Sequence, residues 1–77
     1  MIEVVKDIKI ADFRFECSLE ICPTSKSYDL HSIDVYFIGI DNHGVRLSDV
    51  GSDYVYHGFY DELTVIVDNI AEKYYVG

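Results

Sequence analysis

The chain has 77 residues, the size of one small domain, and 49% of them are hydrophobic, so the composition argues against a disordered chain. Fourteen acidic residues against six basic ones give a formal net charge of −8. This balance disfavours direct binding to nucleic acid or to an anionic membrane, because lysine and arginine supply most of that affinity, and it favours basic partners.

Neither a membrane-spanning segment nor a signal peptide is predicted. The longest apolar run, residues 35–40, is far shorter than the ~20 residues that cross a bilayer. The N-terminal stretch MIEVVKDIKI lacks a basic segment followed by an apolar one. We therefore expect a cytoplasmic protein.

Two stretches of alternating apolar residues open the chain. Apolar residues hold even positions from Ile2 to Ile10 and odd positions from Phe13 onward, the period of half-buried β-strands. The change of phase at Ala11 and Asp12 indicates either a tight turn or a β-bulge. Because Ala-Asp is poor turn chemistry, we favour a bulge in one long bent strand, or a short irregular connection.

The two cysteines fall in the second of these stretches. Cys17 and Cys22 would lie about 16 Å apart on opposite faces of one strand at ~3.3 Å per residue. A disulfide requires Cα atoms within ~7 Å. Both are therefore predicted to be free thiols, which suits a reducing cytosol.

Residues 23–32 are predicted to form the longest loop, because Pro23 ends the strand and serine and aspartate follow. Residues 33–40 form the next predicted strand, which is apolar on both faces. One face carries Ile33, Val35 and Phe37, and the other carries Tyr36, Ile38 and Ile40. Such a strand is either central in its sheet or meets a partner on its second face.

The following residues predict two further short strands. Residues 41–44, Asp-Asn-His-Gly, fit a hairpin loop with Gly44 at a positive φ, and residues 45–47 would return antiparallel. Residues 48–53 predict a second turn, and residues 54–57 a last short strand. Gly58 would end that strand.

Residues 60–75 predict the main helix. The apolar residues follow a period of 3.6 and are Leu63, Ile66, Val67, Ile70, Ala71 and Tyr74. The β-branched run at residues 64–67 would also suit a strand, but the length of the pattern favours a helix. The predicted fold is a single α+β domain spanning residues 1–77, an antiparallel sheet of four to five strands packed by one C-terminal amphipathic helix.

The sequence shows little that indicates catalysis or metal binding. His31, His43 and His57 have no spacing typical of ligands, and Cys17 shares the parity of apolar residues, as a small core residue would. A domain this small also leaves little room for a closed pocket. We expect no catalytic site, no metal and no cofactor.

Seven tyrosines and the absence of tryptophan are the main oddity of the composition. Tyr54 and Tyr56 would share one strand face, and Tyr36 would neighbour them if the strands pair. Tyrosine is enriched at binding hot spots, because it offers rigid contact area and a hydroxyl. The alternative is that these tyrosines lie at the rim of the core with solvated hydroxyls.

The polar face of the predicted helix presents a stripe of acids: Asp61, Glu62, Asp68 and Glu72. With the tyrosines, this stripe predicts a non-enzymatic binding protein that docks a basic protein partner, and a nucleic-acid-binding protein is one candidate for that partner. An inhibitor or nucleic-acid mimic of the phage anti-defence, antitoxin or immunity type has this size and charge, and the analogy extends no further. A charged helix face is also an ordinary solvated surface.

The second hypothesis is a structural or assembly module. Here the two-faced strand at residues 33–40, with the face carrying Tyr54 and Tyr56, would form a homodimer or a subunit contact.

Overall fold

The computed structural model describes residues 1–39 and 43–76. Over these residues the elements are β1 (Ile2–Ile10), β2 (Phe13–Cys22), β3 (Ser27–Phe37), β4 (Val45–Arg46), α1 (Asp49–Gly58) and α2 (Tyr60–Glu72). The strands form one antiparallel sheet in the order β1-β2-β3-β4. The predicted α+β fold with a helix after the strands is confirmed. A second helix, α1, is not predicted by the sequence.

The phase change between β1 and β2 is a tight turn, so the favoured interpretation of one long bent strand is wrong. Ile10 and Phe13 face each other across a two-residue connection, and Ala11 adopts a φ of 53°. Residues opposite each other in an antiparallel pair share a face, so a two-residue turn moves the apolar positions from even to odd. The hairpin holds Ala11 in a conformation that costs a non-glycine residue roughly 1–2 kcal/mol.

Strand β3 begins at Ser27, so the predicted loop at residues 23–32 shrinks to a turn at residues 23–26. Because of a β-bulge, the sequence pattern does not show where this strand begins. Ser18 faces Ser32 whereas Leu19 faces Leu30, which leaves His31 as an extra residue. The apolar positions therefore change from even before His31 to odd after it, and the alternation breaks off in the middle of the strand.

The second hairpin agrees with the prediction where it can be described. Phe37 pairs with Val45, and Gly44 has a φ of 82° as expected. Asp41 and Asn42 of the predicted loop lie outside the described residues, as does Ile40. The strand ends at Phe37, and Ile38 beyond it is buried within the same molecule. Ile38 therefore does not indicate that a second strand face meets a partner.

Helix α1 replaces the turn predicted at residues 48–53 and the strand predicted at residues 54–57, and both predictions are wrong. The side chain of Ser48 accepts a hydrogen bond from the Gly51 backbone N at 3.2 Å and so caps the helix. Val55, Tyr56 and Phe59 follow at helical spacing and pack against the core. This packing overrides the β-propensity of Tyr-Val-Tyr.

Helix α2 covers one face of the sheet, as predicted. Leu63, Val67 and Ala71 are buried at intervals of four residues and share the core with strand residues. The most deeply buried strand residues are Phe15, Cys17, Leu19, Ile21 and Val35. Both cysteines lie on β2 and are free, as predicted. The opposite face of the sheet has no helix against it among the described residues.

Candidate functional site

The two helices form an acidic layer. Together they carry six acidic residues, all exposed, which are Asp49, Asp53, Asp61, Glu62, Asp68 and Glu72. We call these six the helical acidic surface. The four acids predicted to bind a partner all belong to it. Lys73 follows α2 directly, and His57 lies 3.4 Å from the carboxylate of Asp53.

Large apolar side chains are exposed within the same layer. Val50 and Tyr54 lie one turn apart on α1 and are 82% and 83% exposed, and Val65 on α2 is 60% exposed. Val65 is four residues after Asp61 and three before Asp68, so it lies between them on the helix surface. The acids therefore surround apolar contact area, an arrangement typical of interfaces with anchor residues and a polar rim.

The predicted cluster of Tyr36, Tyr54 and Tyr56 does not form, because residues 54–57 are helical. Two residues apart on a helix, Tyr54 and Tyr56 point in nearly opposite directions, the first outward and the second into a partly buried position. Tyr36 lies on the sheet face away from α2, where the Arg14 guanidinium sits 4.3 Å from its ring centre. Of the three, Tyr54 alone is an exposed aromatic residue among acids, which is the environment that the prediction requires.

A different set of tyrosines comes together. Tyr28, Tyr56 and Tyr60 line a cleft of about 170 Å³ between β3 and the helices, which we call the tyrosine groove. The remaining lining residues are Leu30, Leu63, Thr64 and Val67. The rings of Tyr56 and Tyr60 meet edge to face with centres 5.6 Å apart.

Tyr28 connects this groove to the helical acidic surface. Its hydroxyl donates a hydrogen bond to a carboxylate oxygen of Asp68. Partial burial, and then this bond, raise the pKa of Tyr28 well above its usual value, so the hydroxyl remains a donor at neutral pH. Tyr28 falls within the loop predicted at residues 23–32, so it is absent from the predicted binding residues. The alternation of Tyr28 and Leu30 with Asp29 and His31 is the signal that could have found it.

A second cleft of about 170 Å³ continues past Tyr56, between β3 and α1, and we call it the acidic cleft. Besides Tyr56 it is lined by Ile33, Asp34, Asp49, Ser52 and Asp53. Three of its six lining residues are therefore acids. Tyr56 belongs to both clefts, so the tyrosine groove and the acidic cleft adjoin along β3.

The sheet face away from α2 is also rich in charge, and several of its acids are paired with basic side chains. Asp7, Glu16 and Asp34 lie side by side in register across three strands, an arrangement that is unfavourable without cations. Arg14 lies 3.7 Å from Asp7, and Arg46 lies 3.0 Å from Asp34. Further towards the C-terminal end of β2, His31 contacts Glu20 on the same sheet face. The four described strands hold six acids and four bases.

The thiols and histidines do not form a reactive or metal-binding constellation in the described parts of the chain. Burial raises the pKa of the Cys17 thiol to about 11, and Asp7 adds to this effect. The Ser25 hydroxyl donates to Sγ of Cys22 at 2.8 Å and lowers the pKa of that thiol. No group of three or more His, Cys, Asp or Glu residues is placed to hold a metal ion within residues 1–39 and 43–76.

Neither described helix is long and apolar enough to cross a membrane. Comparison of the chain with protein-family models, curated proteins and solved structures finds no match.

Proposed function

We propose that this protein is a small non-enzymatic binding protein whose helical acidic surface docks a basic region of a partner protein. Such a protein would act as an inhibitor or as a mimic of nucleic acid towards a partner whose basic region serves another ligand. The observation that carries the proposal is that all six helix acids are exposed and surround exposed apolar side chains, Val50, Tyr54 and Val65.

The two components of this surface have different physical roles. Exposed carboxylates with few cations beside them attract a basic partner at long range and raise its association rate. Apolar and aromatic side chains supply contact area that is desolvated on binding, and tyrosine is among the commonest hot-spot residues. We therefore expect fast, salt-sensitive association through the acids and slower dissociation through Val50, Tyr54 and Val65.

The test compares two triple charge reversals that change the net charge by the same amount. One carries Asp61→Lys, Glu62→Lys and Glu72→Lys on α2. The matched control carries Glu3→Lys, Asp12→Lys and Asp29→Lys, three exposed acids on the strands and the first turn. Asp68 is left unchanged because its bond to Tyr28 would confuse the result.

Affinity capture from lysate of the source cells, at low and high salt, gives the measurement. We expect the α2 triple variant to lose basic proteins that the wild type retains at low salt, and the control to keep them. Circular dichroism and thermal unfolding confirm that both variants are folded. Equal losses for the two variants would show that net charge alone, without a defined surface, explains the binding, and would overturn the proposal.

The second candidate function, self-association, is supported by a separate observation. Phe37 and Val45 face each other across β3 and β4, and both are exposed. Two copies could bury this pair together. Light scattering over a range of protein concentrations tests it: a dimer that Val45→Lys dissociates would support this function, and a monomeric mass at the highest concentration would reject it.

A further inference from the structure

The outer edge of β3 is open along most of its length. On this side β4 pairs with Tyr36 and Phe37, and the Leu47 backbone N donates to the Val35 carbonyl at 2.9 Å. From Tyr28 to Ile33, no strand of the described chain pairs with this edge. An open edge offers a row of backbone donors and acceptors to another extended segment.

The register shows which backbone groups point outward. Because Leu47 pairs with Val35 on the outer side, the backbone groups of Val35 point away from β2, and by alternation those of Ile33 do too. Leu30 and Tyr28 lie beyond the bulge. Their partners on β2 have odd residue numbers, as does the β2 residue opposite Val35. Their N–H and C=O groups therefore also point outward.

The side chains of these same residues line the two clefts. Tyr28 and Leu30 belong to the tyrosine groove, and Ile33 belongs to the acidic cleft. A strand added to this edge would direct every second side chain towards the helices, into one cleft or the other. From Tyr28 to Ile33 the edge spans about 16 Å at ~3.3 Å per residue, which is enough for two or three such side chains.

The chemistry of the clefts defines the occupant. Asp49 and Asp53 line the acidic cleft and complement a lysine or arginine side chain, whereas Asp34 in the same cleft already pairs with Arg46. The tyrosine groove offers aromatic rings, which suit an apolar side chain or the stem and planar head of arginine. Asp68 lies at the rim of this groove through its bond to Tyr28.

We infer that an extended basic segment of the partner protein adds to the outer edge of β3, with one side chain in the tyrosine groove and a lysine or arginine in the acidic cleft. This inference rests on the proposed function, because it names the part of the basic partner that is recognised and how. The carrying observation is the coincidence of an open strand edge with two clefts lined by the residues of that edge.

The probe is a short blocked peptide in which lysine or arginine alternates with tyrosine or valine. One comparison peptide has the same sequence with N-methyl groups on the alternate amides that would face β3, and another has glutamate in place of the basic residues. Calorimetry gives the affinities, and amide hydrogen exchange followed by NMR gives the location. N-methylation tests strand pairing separately from charge, since it leaves the charges in place.

We expect the basic peptide to slow exchange at the amides of Tyr28, Leu30 and Ile33. Loss of two backbone hydrogen bonds should weaken the N-methylated peptide by roughly tenfold or more. The glutamate peptide should not bind measurably.

Tyr60→Ala should weaken binding of the basic peptide, and Tyr56→Ala should do so if the variant remains folded. Tyr54→Ala, on the opposite side of α1, should leave the peptide affinity unchanged and still weaken capture of the full partner.

The outcomes separate this inference from the proposed function. Equal affinity for the N-methylated peptide would overturn strand addition while leaving docking on the helical acidic surface intact. Protection at the outer edge of β1 instead, at Glu3, Val5 and Asp7, would place the pairing on the wrong strand and also overturn it. Protection of Tyr28, Leu30 and Ile33 without any peptide, rising with protein concentration, would identify a second copy as the occupant.

Discussion

The two charged surfaces of this protein differ in how their charges are compensated. The four strands hold six acids and four bases, and the structure pairs Asp7 with Arg14 and Asp34 with Arg46 across the open sheet face. The helices hold as many acids but neither lysine nor arginine, and the bases beside them are Arg46 before α1 and Lys73 after α2. A count of acids alone would rank the two surfaces equally.

Neighbouring groups show why one surface is a better candidate for binding than the other. On the sheet face, the cations of Arg14 and Arg46 lie against acids or over a tyrosine ring within the same molecule. A partner would have to break those contacts. On the helices, Val50, Tyr54 and Val65 are exposed between the acids, so a partner gains apolar contact area and new ion pairs together.

The helical acidic surface exists only while α2 remains packed on the sheet. Leu63→Ala should disturb this packing most. Leu63 is buried in the core, and its truncation leaves a cavity, so we expect a loss of about 2–5 kcal/mol in the free energy of unfolding. Val65→Ala is the matched control, on the same helix but exposed, and should change the free energy by less than ~0.5 kcal/mol. Urea unfolding followed by circular dichroism measures both. Similar losses would mean that α2 does not pack as described.

The same helix shows how much of the fold the sequence could predict. Thirteen residues of α2 repeat one period without interruption, so the buried stripe of Leu63 and Val67 could be placed correctly. The beginning of β3 could not be placed, because the bulge at His31 reverses the alternation within the strand. Short patterns fail when a single residue shifts their phase.

Helix α1 shows a second limit. The segment around Tyr54 and Tyr56 has high β-propensity, and its helical state depends on capping by Ser48 and on packing of its inner side against the sheet. Of the candidate site, the acids of α2 could therefore be predicted, because they follow from one periodic helix. The tyrosine groove could not, since it joins Tyr28, Tyr56 and Tyr60 from three elements.

The two faces of β2 can be compared through their thiols. Cys17 faces the core, and its pKa of about 11 lies above the ordinary value of 9.0. Because the thiol of the unfolded chain ionises first, the full stability is present below pH 9 and falls as the pH rises towards 11, by about 3 kcal/mol for two pKa units at ~1.4 kcal/mol each. Unfolding of wild type and of Cys17→Ala across this pH range isolates the contribution, and parallel pH profiles would contradict it.

Cys22 supplies the other half of that comparison. Its thiol accepts a hydrogen bond from Ser25, which lowers its pKa, so iodoacetamide should modify Cys22 in the native protein and spare Cys17. Ser25→Ala should slow the modification of Cys22 at neutral pH. Mass spectrometry of the alkylated protein identifies the site, and Thr24→Ala, which removes a longer contact, is the control expected to have a smaller effect.

The two-residue turn between β1 and β2 lies outside the helices, and its backbone strain can be relieved without altering either charged surface. Ala11→Gly removes the cost of a positive φ and should raise the free energy of unfolding by about 0.5–1 kcal/mol, after the greater entropy of glycine in the unfolded chain is subtracted. Lys26→Gly at the next turn has the same φ of 53° and should act in the same direction. Ala11→Val, which strains the turn further, should destabilise the protein.

The smallest expected effect is the one that most directly tests the difference between the surfaces. Arg46→Ala removes the cation 3.0 Å from Asp34, but both side chains are partly solvated, and exposed ion pairs contribute little to stability. A double-mutant cycle with Asp34→Ala should therefore show a small favourable coupling that disappears as salt is raised. The same cycle on Asp61, in the first turn of α2, and Lys73, directly after its last residue, should show none at any salt concentration, because the two are about three turns apart. If the Arg46–Asp34 coupling were also absent at low salt, the sheet face would carry its charges as freely as the helices do, and the reason for assigning the partner to the helices rather than to the sheet would be lost.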